Sequence, residues 1–157
     1  MIKYRNYKDG DEILIVELYK KVFRKELTTQ YWQWKYNTFA KAGKFIFLAF
    51  DKSQCIGQYA LIPYKLNFCG KTIQALLSLD SMVHPDYQGQ RIFTELIKYA
   101  RNELKSLKHP LITFINENTI HVYTKRFNWT YLGNIPVYCR PLSLKQLRNT
   151  NKVLFSL

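Results

Sequence analysis

The sequence predicts an α/β (α+β) protein built on a central mixed, mainly antiparallel sheet flanked by helices. Three observations carry this. Strand-like apolar runs between residues 45 and 83 are separated only by the short polar pieces "DKSQ" and "CGKT", and connections that short join antiparallel neighbours. An apolar stripe at Ile92, Phe93, Leu96, Ile97, Ala100, Leu104 and Leu107 follows at helical spacing. The short apolar run "LITFIN" comes next, and a strand reached through a helix implies a right-handed parallel crossover. The 157 residues, 47% hydrophobic and 16% aromatic, suffice for one domain with a core.

The elements follow in order. Residues 3–7 read as extended, and "DGDE" at 9–12 offers a turn and an acidic helix start before Leu14, Ile15, Leu18 and Val22; a first helix is expected over 11–24. In "TTQYWQWKYNTFAKAG" a second, short helix starts at Thr29 and brings Phe39 within reach, with Gly43 closing the section. There Trp32 and Tyr36 share one face and Tyr31 and Trp34 another, so one pair suits the core and the other a pocket. The strands "FIFLAF", "CIGQYALIPYKLNF" and "IQALLSLDSMV" form the meander, and Pro110 stops the striped helix. A third helix is expected over 117–127, ended by Asn128, which tolerates the left-handed conformation of a C-cap. "WTYLGNIPVYCRPL" should return as one or two strands, and 143–157 is a basic helix or tail, dividing the chain into 1–142 and 143–157.

Composition narrows the function. A net charge of +13, from 24 basic and 11 acidic residues, favours an anionic partner: a phosphorylated small molecule, nucleic acid or an acidic membrane surface. No run of about 18 apolar residues exists, and "MIKYRNYKDGDE" lacks the apolar centre of a signal peptide; a cytoplasmic protein without a membrane span is expected. Cys55, Cys69 and Cys139 are odd in number, form no CxxC and have no histidine at ligand spacing, so reduced, mostly buried thiols are expected and no metal site.

The chemistry gathers around "HPDYQGQRIFTELIKYA", residues 84–100. Gly89 sits beside Gln88, Gln90 and Arg91, and the next carboxylate is Glu95. The first turn of a helix ordinarily welcomes carboxylates, because its N–H groups lack intrahelical partners and the dipole is positive there. This helix start is left open for another anion, although neither GxxxxGK[ST] nor GxGxxG is present.

The stretch "LDSMVHPDYQGQRIFTELI" resembles the acetyl-CoA-binding motif of the GNAT family of N-acetyltransferases. The resemblance implies the GNAT fold, acetyl-CoA as cofactor, and a strand bulge around Met82 and Val83 against which pantetheine pairs. It places Gln88, Gly89, Gln90, Arg91, Ile92 and Phe93 at the pyrophosphate, and makes the N–H near Val83 the donor to the thioester carbonyl. Arg91 and Phe93 depart from the family, which has glycine or a small residue there; Arg91 can offer phosphate a charge-assisted contact. "NENTIHVYTKRFNW" is similar to a second family segment, implying that Asn116 contacts cofactor and that Tyr123 protonates the departing thiolate. Asn116 and Tyr123 keep the family's seven-residue spacing, but counted back from Asn128 the tyrosine position falls on Thr124.

An attacking amine must shed a proton, since alkylammonium groups have pKa values near 10.4. By resemblance the base is Asp80, which strand alternation sets opposite Leu79, Ser81 and Val83; His84 reads as a turn element. Tyr31, Trp32 and Trp34 are the candidates for an acceptor pocket. The expected function is acetyl transfer from acetyl-CoA to the amine of a small molecule or peptide. The alternative is a non-catalytic GNAT-like or basic nucleic-acid-binding module with a degenerate cofactor loop. "FLAFDKSQCIGQYALIPYKL" followed by "SLDSMVHPDYQG" is also similar to the subgroup of GNAT proteins that carry further sequence after a segment like "YLGNIPVYCRPL", and an exposed strand near the C-terminus could pair two subunits as a homodimer.

Overall fold

The computed structural model describes residues 1–38, 44–115 and 117–135. The chain divides into two compact units, Met1–Val122 and Tyr123–Leu157. The expected boundary at 142/143, the tail beyond it, Phe39, Gly43 and Cys139 lie outside the described residues.

The first unit holds a five-stranded sheet of β1 (Lys3–Asn6), β2 (Phe45–Asp51), β3 (Gln54–Phe68), β4 (Lys71–Val83) and β5 (Leu111–Thr113), ordered as in sequence. The first four strands pair antiparallel, and β5 joins β4 in parallel after the crossover helix α3 (Ile92–Glu103). The mixed, mainly antiparallel sheet is thus the architecture the meander and the stripe predict.

Alternation on β2 sends side chains to two helical layers. Ile46, Leu48 and Phe50 join Ile15 and Leu18 of α1 (Glu12–Phe23) and Trp32 and Tyr36 of α2 (Thr29–Asn37) in one buried cluster. Phe47 faces the other way, its ring 6.1 Å from that of Tyr99 on α3. Gly57 lets α3 lie close: a Cβ there would stand 2.9 Å from Leu96 Cδ1 and 3.3 Å from Ile92 Cγ2.

Caps set the helix ends. Thr28 accepts the Tyr31 N–H at 3.1 Å, and α1 stops where Arg24 turns left-handed with φ 55° and its amide bonds Lys20 O. Arg5 grips Asp11 with two hydrogen bonds of 2.6 and 2.8 Å, pinning β1 to the start of α1, and lies 4.3 Å from the centre of the Phe50 ring. Burial pushes the Asp11 carboxyl up, but the bonds from Arg5 and the Lys8 amide and the charges of both residues outweigh it, leaving the pKa below the ordinary value.

One expectation needs correction. The apolar stripe runs on to Leu107, yet α3 ends at Glu103, where the Leu104 amide bonds both Ala100 and Asn102 carbonyls and the last turn tightens. The described part of "WTYLGNIPVYCRPL", through Ile135, contains no strand, and the rest of that segment lies outside the described residues. After β5 come α4 (Glu117–His121) and a π-helical turn, Val122–Arg126, and Asn128 takes φ 55° just past the helical stretch, as its C-cap reading predicts.

Beyond Leu61 on β3 and before Leu76 on β4, the two strands have no further strand partner among the described residues. This overhanging ribbon carries Tyr64 and Phe68, 44% and 66% exposed.

Candidate functional site

β4 is held on both sides only as far as Ser78, the last residue paired with β5. From there to Val83 its only strand partner among the described residues is β3. Within that stretch the register slips: Gln58 faces Met82 but Ala60 faces Leu79, so Asp80 and Ser81 stand against a single residue of β3. Asp80 is the bulged residue, with φ 48°.

The bulge breaks the alternation that puts Asp80 on the face opposite Leu79. Leu79 packs on the α1–α2 cluster and Met82 lies within it, yet Asp80 also turns that way. Its Oδ2 receives Lys35 Nζ at 2.6 Å and Tyr36 Oη at 2.8 Å, both from α2, while its carbonyl accepts Gln58 Nε2 at 2.9 Å. Burial, then the nearby Asp80 charge, pushes the Tyr36 phenol well above its usual pKa.

Past the bulge, the His84 N–H bonds Ile56 O on β3 at 2.8 Å. Successive residues of a strand direct their N–H groups to opposite edges, so the Val83 N–H is directed to the edge that β5 leaves open. His84 is a turn residue, as expected: it is 7% exposed, and its Nδ1 accepts the Asp86 amide at 3.3 Å. Tyr87 Oη fastens this turn to Asp51 at 2.9 Å, and Gln88 Nε2 reaches back to Val83 O at 3.2 Å.

Gly89 then takes φ 77° and Arg91 φ 63°, and α3 begins with no side-chain cap. Left-handed residues in such a loop turn backbone N–H groups into an anion-binding concavity. Arg91 is exposed and makes no ion pair among the described residues, whereas Glu95, the first acid of the helix, is engaged by Lys98 at 2.7 Å. Phe93 does not crowd the loop; its ring packs toward the sheet, edge-on to Tyr59 at 6.3 Å. The loop and the uncapped helix start therefore offer backbone N–H groups to an anion, next to the β4 edge that β5 leaves open among the described residues.

The aromatic helix divides as its period predicts. Tyr31 and Trp34 are 52% and 65% exposed, with ring centres 5.4 Å apart. Trp32 is 1% exposed, between Tyr7 at 5.3 Å and Tyr36 at 4.8 Å; it is a core residue, which corrects its expected place at the acceptor. Asn116 lies outside the described residues. Tyr123 is buried, edge-on to Trp129 at 4.9 Å, within the π-helical turn. A π turn holds more residues than an α turn, which gives the one-residue slip between the two halves of that motif a structural origin. Lys35, Tyr36 and Gln58 are the residues that sequence reasoning missed, because Asp80 lies 45, 44 and 22 positions away from them.

The sheet parts beside a bulge and runs into an uncapped, glycine-containing loop. Residues 3–132 match the family described as "Acetyltransferase (GNAT) domain", and the chain belongs to that family. Similar solved structures include glucosamine-6-phosphate N-acetyltransferase from Arabidopsis thaliana, with 14% identity and a TM-score of 0.68 over 88% of this chain and 98% of that one. A predicted acetyltransferase with acetyl-CoA from Clostridium acetobutylicum shares 18% identity, with a TM-score of 0.69 over 88% and 96%. Aminoglycoside 6'-N-acetyltransferase from Acinetobacter baumannii shares 11%, with a TM-score of 0.68 over 91% and 100%. At these identities the likeness is one of fold. No curated protein matches the chain, and no described helix is long and apolar enough to cross a membrane.

Proposed function

We propose that the chain is an acetyl-CoA-dependent N-acetyltransferase acting on the amine of a small molecule or peptide. The observation that carries this reading is the parting of β4 from β5 after Ser78 directly before a loop with left-handed Gly89 and Arg91.

When bound, acetyl-CoA supplies an activated thioester. The backbone from Gln88 to Phe93 and the Arg91 guanidinium would hold its pyrophosphate, and Met82 and Val83 would present their strand edge to the pantetheine arm. The Val83 N–H, directed to the open edge, would serve as the hydrogen-bond donor to the thioester carbonyl. Asp80 draws the cationic amine in and receives its proton, directly or through water; both α2 contacts fall on Oδ2, so Oδ1 is the oxygen assigned to this task. By the family resemblance, Tyr123 would act as the general acid towards the departing thiolate, and Asn116 would contribute to holding the cofactor. Tyr31 and Trp34 offer the acceptor an exposed aromatic surface.

Thermal unfolding with and without acetyl-CoA tests the reading. A ligand at about 100 times its dissociation constant adds roughly 2.7 kcal/mol to stability, so a clear upward shift is expected. It should vanish in Gly89→Trp, because a side chain at φ 77° strains the loop. A well-folded protein with no shift would remove the cofactor assignment.

A second reading has its own observation. Tyr64 and Phe68 are exposed on the ribbon beside Lys65 and Lys71, and residues 52–79 contain no acid, an arrangement suited to stacking on single-stranded nucleic acid. Binding that falls steeply with salt and ignores coenzyme A would favour it.

A further inference from the structure

We propose that Lys35, Tyr36 and Gln58 are positioning residues: they set the bulge at Asp80 and thereby couple the pose of α2, with its Tyr31–Trp34 pair, to the strand edge that ends at Val83. The proposal rests on the acetyl-transfer reading and adds to it a set of groups that touch neither cofactor nor acceptor.

A left-handed φ of 48° is unfavourable for a residue with a side chain, and such a conformation persists only where its surroundings impose it. At Asp80 they do so from two elements. The carboxylate is drawn to α2 by Lys35 at 2.6 Å and Tyr36 at 2.8 Å, and the carbonyl is drawn to β3 by Gln58 at 2.9 Å. Side chain and main chain of one bulged residue are thus clamped in different directions.

Gln58 bears on the same point. It is 1% exposed, and its Oε1 has no hydrogen-bond partner, a costly state for a buried acceptor. Turning the amide over would set oxygen against the Asp80 carbonyl and lose the contact. A buried amide carried with one half unsatisfied is explained by what its other half holds. The Tyr36 phenol, kept protonated by burial and by the Asp80 charge, stays a donor to the carboxylate.

The bulge precedes the Val83 N–H by three positions, and α2 carries Tyr31 and Trp34 on the turn that also carries Lys35. A shift of α2 is therefore transmitted to the thioester edge through Asp80, and a shift of the bulge to the aromatic pair.

The test uses Tyr36→Phe, Lys35→Met and Gln58→Leu in the full chain. Two quantities are read: the affinities for acetyl-CoA and for adenosine bisphosphate, the nucleotide end of coenzyme A without its pantetheine arm; and the backbone amide shifts of Ser81, Met82 and Val83. Each variant is expected to weaken acetyl-CoA binding about tenfold, to leave adenosine bisphosphate unaffected, and to move those amide signals. Lys35→Arg, which keeps the cation, should restore the wild-type values. Equal weakening of both ligands, or unchanged acetyl-CoA affinity with unmoved amide signals, would overturn the proposal. Should the wild type bind no acetyl-CoA, the transferase reading fails by itself, and the amide signals still decide whether these side chains set the bulge. Should Tyr36→Phe fail to fold, Lys35→Met carries the test, since that side chain is 29% exposed.

Discussion

At the residue scale, burial and partners give chemically similar groups different behaviour. Cys55 is 5% exposed, and burial pushes its thiol up to about 12; Cys69 is exposed in the β3–β4 turn. Since the thiolate is the reactive form, iodoacetamide at neutral pH should label the Cys69 peptide quickly and the Cys55 peptide only after denaturation, as mass spectrometry of the digest would read. Asp11 carries the clearest acid-sensitive contribution. Its folded pKa is depressed, so its stabilisation is complete above the unfolded value near 3.9 and is lost as the pH falls through the folded value. Urea unfolding should show Asp11→Asn less stable than wild type by about 2 kcal/mol at pH 7, the scale of hydrogen bonds to a charged group. That gap should shrink on acidification below pH 4; a gap independent of pH would refute the ion-pair origin.

At the element scale, α3 depends on two backbone features at the same end of the sheet. Gly57 leaves room for Leu96 and Ile92, and Gly57→Ala is expected to cost about 1–3 kcal/mol by overpacking, seen as a lower denaturant midpoint with unchanged slope. Arg91 occupies a left-handed position at the start of the helix, a conformation that glycine adopts without steric cost. Arg91→Gly should therefore change stability little, while weakening phosphate binding through the lost charge. Isothermal titration with acetyl-CoA at two salt concentrations would separate these effects, the charge contribution fading as salt rises.

The legibility of the molecule divides along the same line. Helical period alone separated Trp32 and Tyr36 from Tyr31 and Trp34, and short polar breaks sufficed for the meander, because both are local properties of the chain. Asp80 was readable as a candidate, but not its ties to Lys35, Tyr36 and Gln58, which are tertiary. Nor was its orientation, since a bulge resets the alternation on which the face assignment depends. The end of α3 was misread because Leu104 and Leu107 continue the stripe after the backbone has stopped being helical. The slip at Tyr123 marked a π turn that no hydrophobic pattern encodes.

At the scale of the whole molecule, the charge of +13 is spread over a fold whose proposed ligand is an anion, so long-range attraction should raise the rate of encounter with acetyl-CoA. Stopped-flow association rates are expected to fall with ionic strength while dissociation rates change little; salt-independent association would show that the charge serves something else. The overhanging ribbon of β3 and β4 has a different consequence, one for behaviour in concentrated solution. Edges without neighbours are templates on which a second chain can grow, yet this one contains Pro63, which has no N–H to offer, and Lys65 and Lys71, whose like charges recur in every copy that approaches. The same overhang that exposes two aromatic rings thus carries its own chain terminator against fibril growth. Replacing Pro63 and the two lysines with β-branched residues should remove it, and light scattering of the concentrated variant is expected to rise above that of the parent chain.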